Sequence, residues 1–226
     1  MSRLEQDRQF WIHAASFPPD KTEVYPGHAE VQRLAYVKGK KVLEYGCGGG
    51  ADSMSYLRYG AGHVTLCDIV QGNLDMAQHR IKTTFPDDGL KRTTYWQLKT
   101  STALPEGPFD VINAHGVLHH IEEPVMHEVI AKLRSLVAVE GWLTAMFYTE
   151  HLRSRCDYII APKVAAGMAE DAAFGACTDG DGCIARAYTE AQGCALLEKA
   201  GWRVKSVSIY NNGDFRTFYA VPKGLA

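Results

Sequence analysis

Residues 42–50 read Val-Leu-Glu-Tyr-Gly-Cys-Gly-Gly-Gly, a short apolar run that leads directly into a glycine-rich turn. A second apolar run ends at Asp68. Glycines let backbone amides approach a ligand where a Cβ atom would collide, and a carboxylate at the end of the next strand can accept hydrogen bonds from both ribose hydroxyls. Together the two features predict a pocket for an adenosine-containing cofactor.

The segments after residue 40 alternate short β-rich runs with longer amphipathic ones, which predicts a parallel sheet with crossover helices. Strands are expected at 41–45, 63–68, 93–98, 109–114 and 142–148, and helices at 51–59, 72–84, 124–136 and 189–200. The segments 203–210 and 215–221 then form a hairpin around Asn211-Asn212-Gly213-Asp214. We therefore expect an α/β fold: a seven-stranded, mostly parallel sheet with an antiparallel terminal strand and helices on both faces.

This order of elements differs from a six-stranded dinucleotide-binding fold. From about Tyr36 to Val221 the chain resembles the class I (Rossmann-like) S-adenosylmethionine-dependent methyltransferases of the small-molecule type. The resemblance rests on the turn at 44–50, on Asp68, and on Phe-Asp-Val-Ile-Asn-Ala-His-Gly-Val-Leu-His-His at 109–120. It implies an enzyme that moves a methyl group from S-adenosylmethionine to oxygen, nitrogen or carbon of a small metabolite and releases S-adenosylhomocysteine.

The length predicts a single domain over residues 1–226. Within it, residues 36–148 form the cofactor-binding half and residues 188–226 the C-terminal helix and hairpin. Insertions at the carboxyl ends of sheet strands can cover a ligand crevice. We therefore expect a helical lid from residues 1–35, including a second helix, and a substrate cap from residues 149–187.

The resemblance also assigns candidate cofactor contacts. It implies that the turn wraps the methionine part of the cofactor through Glu44, Gly46, Gly48 and Gly50. The carboxylate of Asp68 offers two acceptor oxygens to the ribose.

Four further cofactor contacts are expected. Ile69 can pack on the adenine, Tyr25 can reach the cofactor from the lid, and His115 follows the fourth strand. Thr100 stands where related sequences carry an acid that contacts the adenine amino group, so its segment is either an adenine contact or a plain surface loop.

Three histidines follow the fourth strand and are the candidate catalytic residues: His115, His119 and His120. Methyl transfer from a sulfonium mainly requires alignment and exclusion of water. A neutral imidazole can accept the proton that the nucleophile loses. The alternative is that the Leu-His-His segment only packs and supports the cofactor.

Candidate substrate-binding residues lie in or just after the predicted cap: Arg153, Tyr158, Arg186 and Tyr188. An arginine there can hold a carboxylate or phosphate in a bidentate manner. The alternative reading is a solvated surface position, as for any exposed arginine.

Composition restricts the partners. The formal charge of −2 and the lack of a long basic run argue against nucleic acid and membrane partners. No secretory signal or long apolar stretch is present, and the nine histidines and six cysteines show no metal-binding spacing, so we expect a cytoplasmic protein without a metal. The sequence does not fix the oligomeric state and is compatible with a homodimer.

Two other functions use similar features. An NAD(P)-dependent dehydrogenase also has a glycine turn and a ribose-binding acid. Its turn has the spacing Gly-x-Gly-x-x-Gly, whereas here the third glycine after Gly46 and Gly48 comes too early, at Gly49 or Gly50. A non-catalytic, RNA-directed or protein-directed module could retain the same fold. The methyltransferase remains the leading hypothesis.

Overall fold

The computed structural model describes residues 1–13 and 33–224. Its strands are β1 Lys41–Tyr45, β2 His63–Asp68, β3 Thr93–Gln97, β4 Phe109–Ala114, β5 Val137–Thr149, β6 Ala187–Tyr188, β7 Trp202–Tyr210 and β8 Phe215–Pro222. Its α-helices are α1 Arg3–His13, α2 Ala51–Arg58, α3 Gln71–Thr84, α4 Glu123–Leu136, α5 Glu150–Arg155, α6 Asp157–Ala165, α7 Glu170–Thr178 and α8 Glu190–Lys199.

One twisted sheet carries the fold, with the strand order β3-β2-β1-β4-β5-β8-β7. The pairs among β1 to β5 are parallel, whereas β8 runs antiparallel to both β5 and β7. This arrangement confirms the predicted α/β class and the antiparallel terminal strand. An eighth strand, β6, pairs with the end of β5; a two-residue strand is too short to give an alternating pattern in sequence.

Helices cover both faces of the sheet because each presents an apolar stripe. In α4, Met126, Val129, Ile130 and Leu133 follow the helical spacing and are fully buried against the sheet. On the opposite face, α2 and α3 contribute residues such as Met54 to a second core cluster. The first core cluster, which includes the buried residues of α4, and this second one hold the strands in place. The ligand crevice is expected at the carboxyl ends of these strands.

The strand β5 begins at Val137 rather than at residue 142. Val139 and Glu140 are exposed, so the apolar pattern is interrupted before the buried run that starts at Gly141. The backbone pairing of Phe109 with Val137 therefore shows where the strand begins, whereas the hydrophobic pattern of the sequence does not.

Three helices, α5 to α7, fill most of the segment predicted as a cap. The hydroxyl of Thr149 accepts a hydrogen bond from the backbone N–H of Leu152 at 3.2 Å and so caps α5. Ile160 and Phe174 pack with Tyr148 of β5 in a separate core cluster. The segment is thus attached at the carboxyl end of β5.

Helix α1 lies over the carboxyl ends of β2 and β3. Arg8 donates from Nε to the carbonyl oxygen of Ile69 at 3.0 Å and from Nη2 to that of Leu98 at 3.4 Å. The remainder of the predicted lid up to residue 32, with most of its second helix and Tyr25, lies outside the described residues.

Candidate active site

A cavity of about 290 Å³ opens at the carboxyl ends of β1, β2 and β4. The turn after β1, Asp68 and Ile69 after β2, and the segment 115–117 after β4 bound it, and α1 contributes Leu4, Asp7 and Trp11. Ligands of open α/β sheets bind at this edge, where the strand order reverses on either side of β1.

The glycine turn needs glycine for two reasons. Gly46, Gly48 and Gly50 have φ angles of 77°, 48° and 76°, in the left-handed region that disfavours side chains. A Cβ atom on Gly46 would also lie 2.6 Å from Cγ2 of Val117. The turn therefore packs directly against the loop after β4, and backbone atoms form the floor of the cavity.

Asp68 is 6% exposed at the end of β2. Its Oδ2 accepts from the backbone N–H of Gly48 at 2.9 Å, and Oδ1 accepts from the N–H of Val70 at 2.8 Å and from Nδ2 of Asn73 at 3.1 Å. Burial raises the pKa of Asp68, and these donors oppose that rise. The carboxylate thus holds the glycine turn in place while it lines the cavity.

Glu44 and Asp52 form a second acidic group beside the turn. Glu44 is 4% exposed and accepts a hydrogen bond from the hydroxyl of Ser53. Burial, and then the nearby Asp52, raise the pKa of Glu44 well above its usual range. Asp52 accepts from Nδ2 of Asn113 at 3.1 Å. A bound cation would offset the charge of buried Glu44 and half-buried Asp52.

Four rings form what we call the aromatic wall of the cavity: Trp11, His120, Tyr148 and Phe215. The ring centroids of Trp11 and His120 lie 5.2 Å apart, those of His120 and Tyr148 5.7 Å, and those of Tyr148 and Phe215 5.6 Å. The wall combines α1, the segment after β4, β5 and β8. It is suited to a flat or apolar ligand.

Comparison with known proteins agrees with this geometry. Residues 42–141 match a family described as a methyltransferase domain. This match covers 100 of the chain's 226 residues, which therefore resemble a methyltransferase domain. The expected resemblance is thereby confirmed.

Individual relatives of the chain are distant. The ubiquinone biosynthesis O-methyltransferase of Chromobacterium violaceum is 29% identical over 155 residues, 68% of this chain and 62% of that protein. The chain spans about half to three fifths of the length of the curated relatives it matches.

Two solved structures share the fold along most of this chain. Magnesium protoporphyrin IX methyltransferase from Synechocystis, with bound S-adenosylmethionine, has a TM-score of 0.69 at 16% identity over 98% of both chains. The 1,6-didemethyltoxoflavin N1-methyltransferase of Burkholderia thailandensis, with 1,6-didemethyltoxoflavin and S-adenosylhomocysteine bound, has a TM-score of 0.66 at 16% identity, over 97% of this chain and 88% of that one. Among the described residues of this chain, no helix is long and apolar enough to cross a membrane.

The three candidate histidines have different surroundings. His115 and His120 line the cavity. His119 is fully buried outside it, with Nδ1 3.3 Å from the carbonyl oxygen of Met146, and burial lowers its pKa well below the usual range. His120 has Nδ1 2.8 Å from the carbonyl oxygen of Ile184, a contact that assigns the proton to Nδ1 and leaves Nε2 as the acceptor.

Most of the predicted cofactor residues meet at the cavity. Glu44, Gly46, Gly48, Asp68, Ile69 and His115 line it. Gly50 lies behind the turn, where an added Cβ would be 2.8 Å from Cβ of Ala77. At the β3 end the cavity is lined by Leu98 and Ser101 rather than by Thr100.

The structure does not bring the four predicted substrate residues to the cavity. Arg153 pairs with Asp157 and Glu170. Arg186 donates to the carbonyl oxygen of Ile121 at 2.6 Å and to Asp171 at 2.9 Å.

Neither tyrosine of that set lines the cavity. Tyr158 is 77% exposed, and the hydroxyl of Tyr188 points to the sulfur of Met126 at 3.6 Å.

Sequence reasoning missed the residues that complete the cavity: Asp7 and Trp11 of α1, Tyr148 at the end of β5, Asp179 after α7 and Phe215 of β8. No motif joins them, because they come from four distant segments. One signal was available, since Asp7 and Trp11 have the i,i+4 spacing that puts both on one face of a helix.

A cluster of possible metal ligands adjoins the aromatic wall. His120, Asp179 and Cys183 each offer a ligand atom within 4.8 Å of the others. The imidazole Nε2 lies 4.0 Å from Oδ2 of Asp179, and Nδ1 lies 3.4 Å from the sulfur of Cys183. The absence of a metal stays a prediction.

Proposed function

We propose that the protein transfers a methyl group from S-adenosylmethionine to oxygen, nitrogen or carbon of a small-molecule acceptor. The observation that carries the proposal is the buried carboxylate of Asp68, which is bonded to the glycine turn and lines the same cavity as the aromatic wall. Relatives and fold neighbours support it, since they include small-molecule methyltransferases and structures with bound S-adenosylmethionine or S-adenosylhomocysteine.

In this proposal the cofactor spans the turn and the end of β2. Oδ2 of Asp68 accepts from a ribose hydroxyl with the lone pair left open beside its bond from Gly48, since Oδ1 already accepts from Val70 and Asn73. The methionine ammonium lies near Glu44 and Asp52, where its charge offsets one buried and one half-buried carboxylate. The adenine packs on Ile69, and contacts from Tyr25 and Thr100 remain predictions.

The chemistry is a displacement at the methyl carbon. A lone pair of the acceptor attacks the methyl group, the carbon–sulfur bond breaks, and its electron pair stays on sulfur to give S-adenosylhomocysteine. Nε2 of His120 accepts the proton that an acceptor hydroxyl or amine loses, because burial lowers the pKa of His120 and keeps the imidazole neutral. His115 occupies the alternative position on the cavity rim, and His119 acts by packing.

The remaining expectations belong to the same proposal. The charge of −2 supports a partner that is neither nucleic acid nor membrane and a cytoplasmic location. The oligomeric state, with a homodimer as one option, is best measured directly by light scattering.

Binding calorimetry tests the cofactor assignment. We expect heat from S-adenosylhomocysteine and none from NADH; the reverse result would indicate a dehydrogenase. A screen of metabolites with isotope-labelled S-adenosylmethionine then tests catalysis through the mass gain of one methyl group. Cofactor binding without any methylated product would favour a non-catalytic module.

A further inference from the structure

Two carboxylates, those of Asp7 and Asp179, lie beside the aromatic wall and make this part of the cavity negatively charged. The hydroxyl of Tyr148 donates to Asp179 at 3.1 and 3.3 Å, and Nε2 of His120 lies 4.0 Å from the same carboxylate. Asp7 lies one helical turn before Trp11 on α1. Both acids line the cavity, and the Asp179 side chain is 17% exposed.

The other charged residues that line the cavity are acidic as well. Among the described residues, its lining includes five acids and no lysine or arginine: Asp7, Glu44, Asp52, Asp68 and Asp179. Arg3 pairs with Asp7 and offsets one of these charges. Residues 14–32, outside the described part, contain three acidic residues and one lysine in sequence.

The acids divide into two groups. Glu44, Asp52 and Asp68 adjoin the glycine turn, where the proposed cofactor brings its own ammonium and ribose donors. Asp7 and Asp179 adjoin the aromatic wall. Arg3 pairs with Asp7, whereas the described residues supply no lysine or arginine partner for Asp179. The hydroxyl of Thr178 also donates to Asp179 at 2.5 Å, but hydroxyl donors carry no net charge. A ligand on that wall therefore meets a carboxylate without a lysine or arginine partner, which attracts a cation and repels an anion.

We propose that the methyl acceptor is an aromatic molecule that bears an amine, recognised as its ammonium by Asp179, and that acceptors with a carboxylate or phosphate in that place are excluded. The ring packs on the aromatic wall, where Trp11 and Tyr148 also favour a neighbouring cation. This inference rests on the proposed function and names the substrate class of the same site. It replaces the anion-binding role predicted for Arg153 and Arg186, which lie outside the cavity.

Three phenols of one shape test the charge preference: tyramine, the neutral tyrosol and 3-(4-hydroxyphenyl)propanoate. Their affinities are measured by calorimetry on the protein saturated with S-adenosylhomocysteine. We expect tyramine to bind at least about tenfold more tightly than the propanoate, with tyrosol between them, as for unit charges a few Å apart near a protein surface. Equal or tighter binding of the propanoate would overturn the proposal.

The Asp179→Asn variant assigns the preference to one residue. Its amide oxygen still accepts from Tyr148, so we expect weaker binding of tyramine, tighter binding of the propanoate and little change for tyrosol. Equal weakening of all three would indicate structural damage and overturn the electrostatic role. The matched control is Asp181→Asn, because Asp181 pairs with Lys163 and its side chain is 86% exposed; this variant should retain the preference.

Two further readouts separate the alternatives. If the tyramine preference needs an added divalent metal and disappears with a chelator, Asp179 acts with His120 and Cys183 as a metal ligand, and the ammonium proposal is wrong. If S-adenosylhomocysteine binds but none of the phenols does, the aromatic acceptor is wrong while the cofactor assignment stands. Failure of S-adenosylhomocysteine itself to bind would instead refute the proposed function.

Discussion

Oδ2 of Asp68 accepts a hydrogen bond from the backbone N–H of Gly48 at 2.9 Å. The bond joins the end of β2 to the turn after β1, so the residue proposed to hold the ribose also fixes the loop proposed to hold the methionine. Cofactor affinity and local stability should therefore depend on the same carboxylate.

Replacement of Asp68 by Asn tests this coupling. In the wild type, two carboxylate oxygens accept hydrogen bonds from Gly48, Val70 and Asn73. The Asn variant has only one acceptor oxygen, and its amide NH₂ group, which can only donate, faces an N–H group. We expect a loss of about 1–3 kcal/mol in the free energy of unfolding, measured by urea denaturation, together with weaker binding of S-adenosylhomocysteine.

Asp75→Asn is the control for that experiment. Asp75 lies on the outer side of α3 and accepts only from Gln71 among the described bonds, at 2.8 Å. Its replacement should leave both quantities nearly unchanged. Undiminished cofactor binding in Asp68→Asn would remove the ribose role.

Gly46→Ala tests the close approach of the turn. The alanine must adopt a φ of 77° and place its Cβ 2.6 Å from Val117. Left-handed backbone costs about 1–2 kcal/mol for a residue with a Cβ, and overpacking adds about 1–3 kcal/mol. A lower melting temperature and weaker cofactor binding are expected.

Gly72→Ala provides the matched comparison, because its added Cβ would meet nothing nearer than 4.0 Å, in the first turn of α3. Alanine favours the helix there, so the melting temperature should stay constant or rise slightly. Equal effects of the two substitutions would contradict the steric argument for Gly46.

The features that could be predicted from the sequence are those that depend on a short local pattern of residues. The bounds of β1, β2 and β4 agree with the structure because each is a short buried run between turn residues. Asp68 was found for the same reason, as the polar residue that closes a buried strand.

The rest of the site depends on contacts between distant segments. Asp179 and Trp11 meet His120 only after the sheet, α1 and the cap have folded, and neither belongs to a motif. The charge of Arg186 predicted an anion contact, and the structure places this residue outside the cavity, where it donates to the carbonyl of Ile121 and the carboxylate of Asp171. Residue type alone does not predict which groups an arginine contacts in the folded chain.

Glu44→Gln should raise the stability of the ligand-free protein while weakening cofactor binding. Burial raises the pKa of Glu44, so the folded state binds this proton more strongly than the unfolded chain does. The stability that the protonated form contributes is present at low pH and is lost as pH rises through the raised pKa. Gln resembles the protonated acid at every pH.

The measurement is the melting temperature of both proteins across pH. The advantage of Glu44→Gln should be small near the ordinary carboxyl pKa of 4.5 and should grow toward neutral pH. S-adenosylhomocysteine should raise the melting temperature of the variant less than that of the wild type. A constant difference across pH would mean that Glu44 does not titrate as its burial requires.

His120→Gln tests the proton acceptor. We expect a fall in kcat with little change in the Kd of S-adenosylhomocysteine, because His120 belongs to the aromatic wall and not to the glycine turn. Burial lowers the pKa of His120, so the rate of the wild type should decline on acidification with a midpoint below the usual value of 6.5. The variant should lack this decline, since Gln does not titrate.

Two other histidines complete the comparison. His127→Gln alters a partly exposed side chain on α4 and should leave the pH profile intact. His115→Gln alters the other cavity imidazole, and if that variant alone loses the acidic decline, the proton acceptor is His115. Wild-type rates in both cavity variants would mean that methyl transfer here needs only alignment of the acceptor, because neither imidazole would then take up its proton.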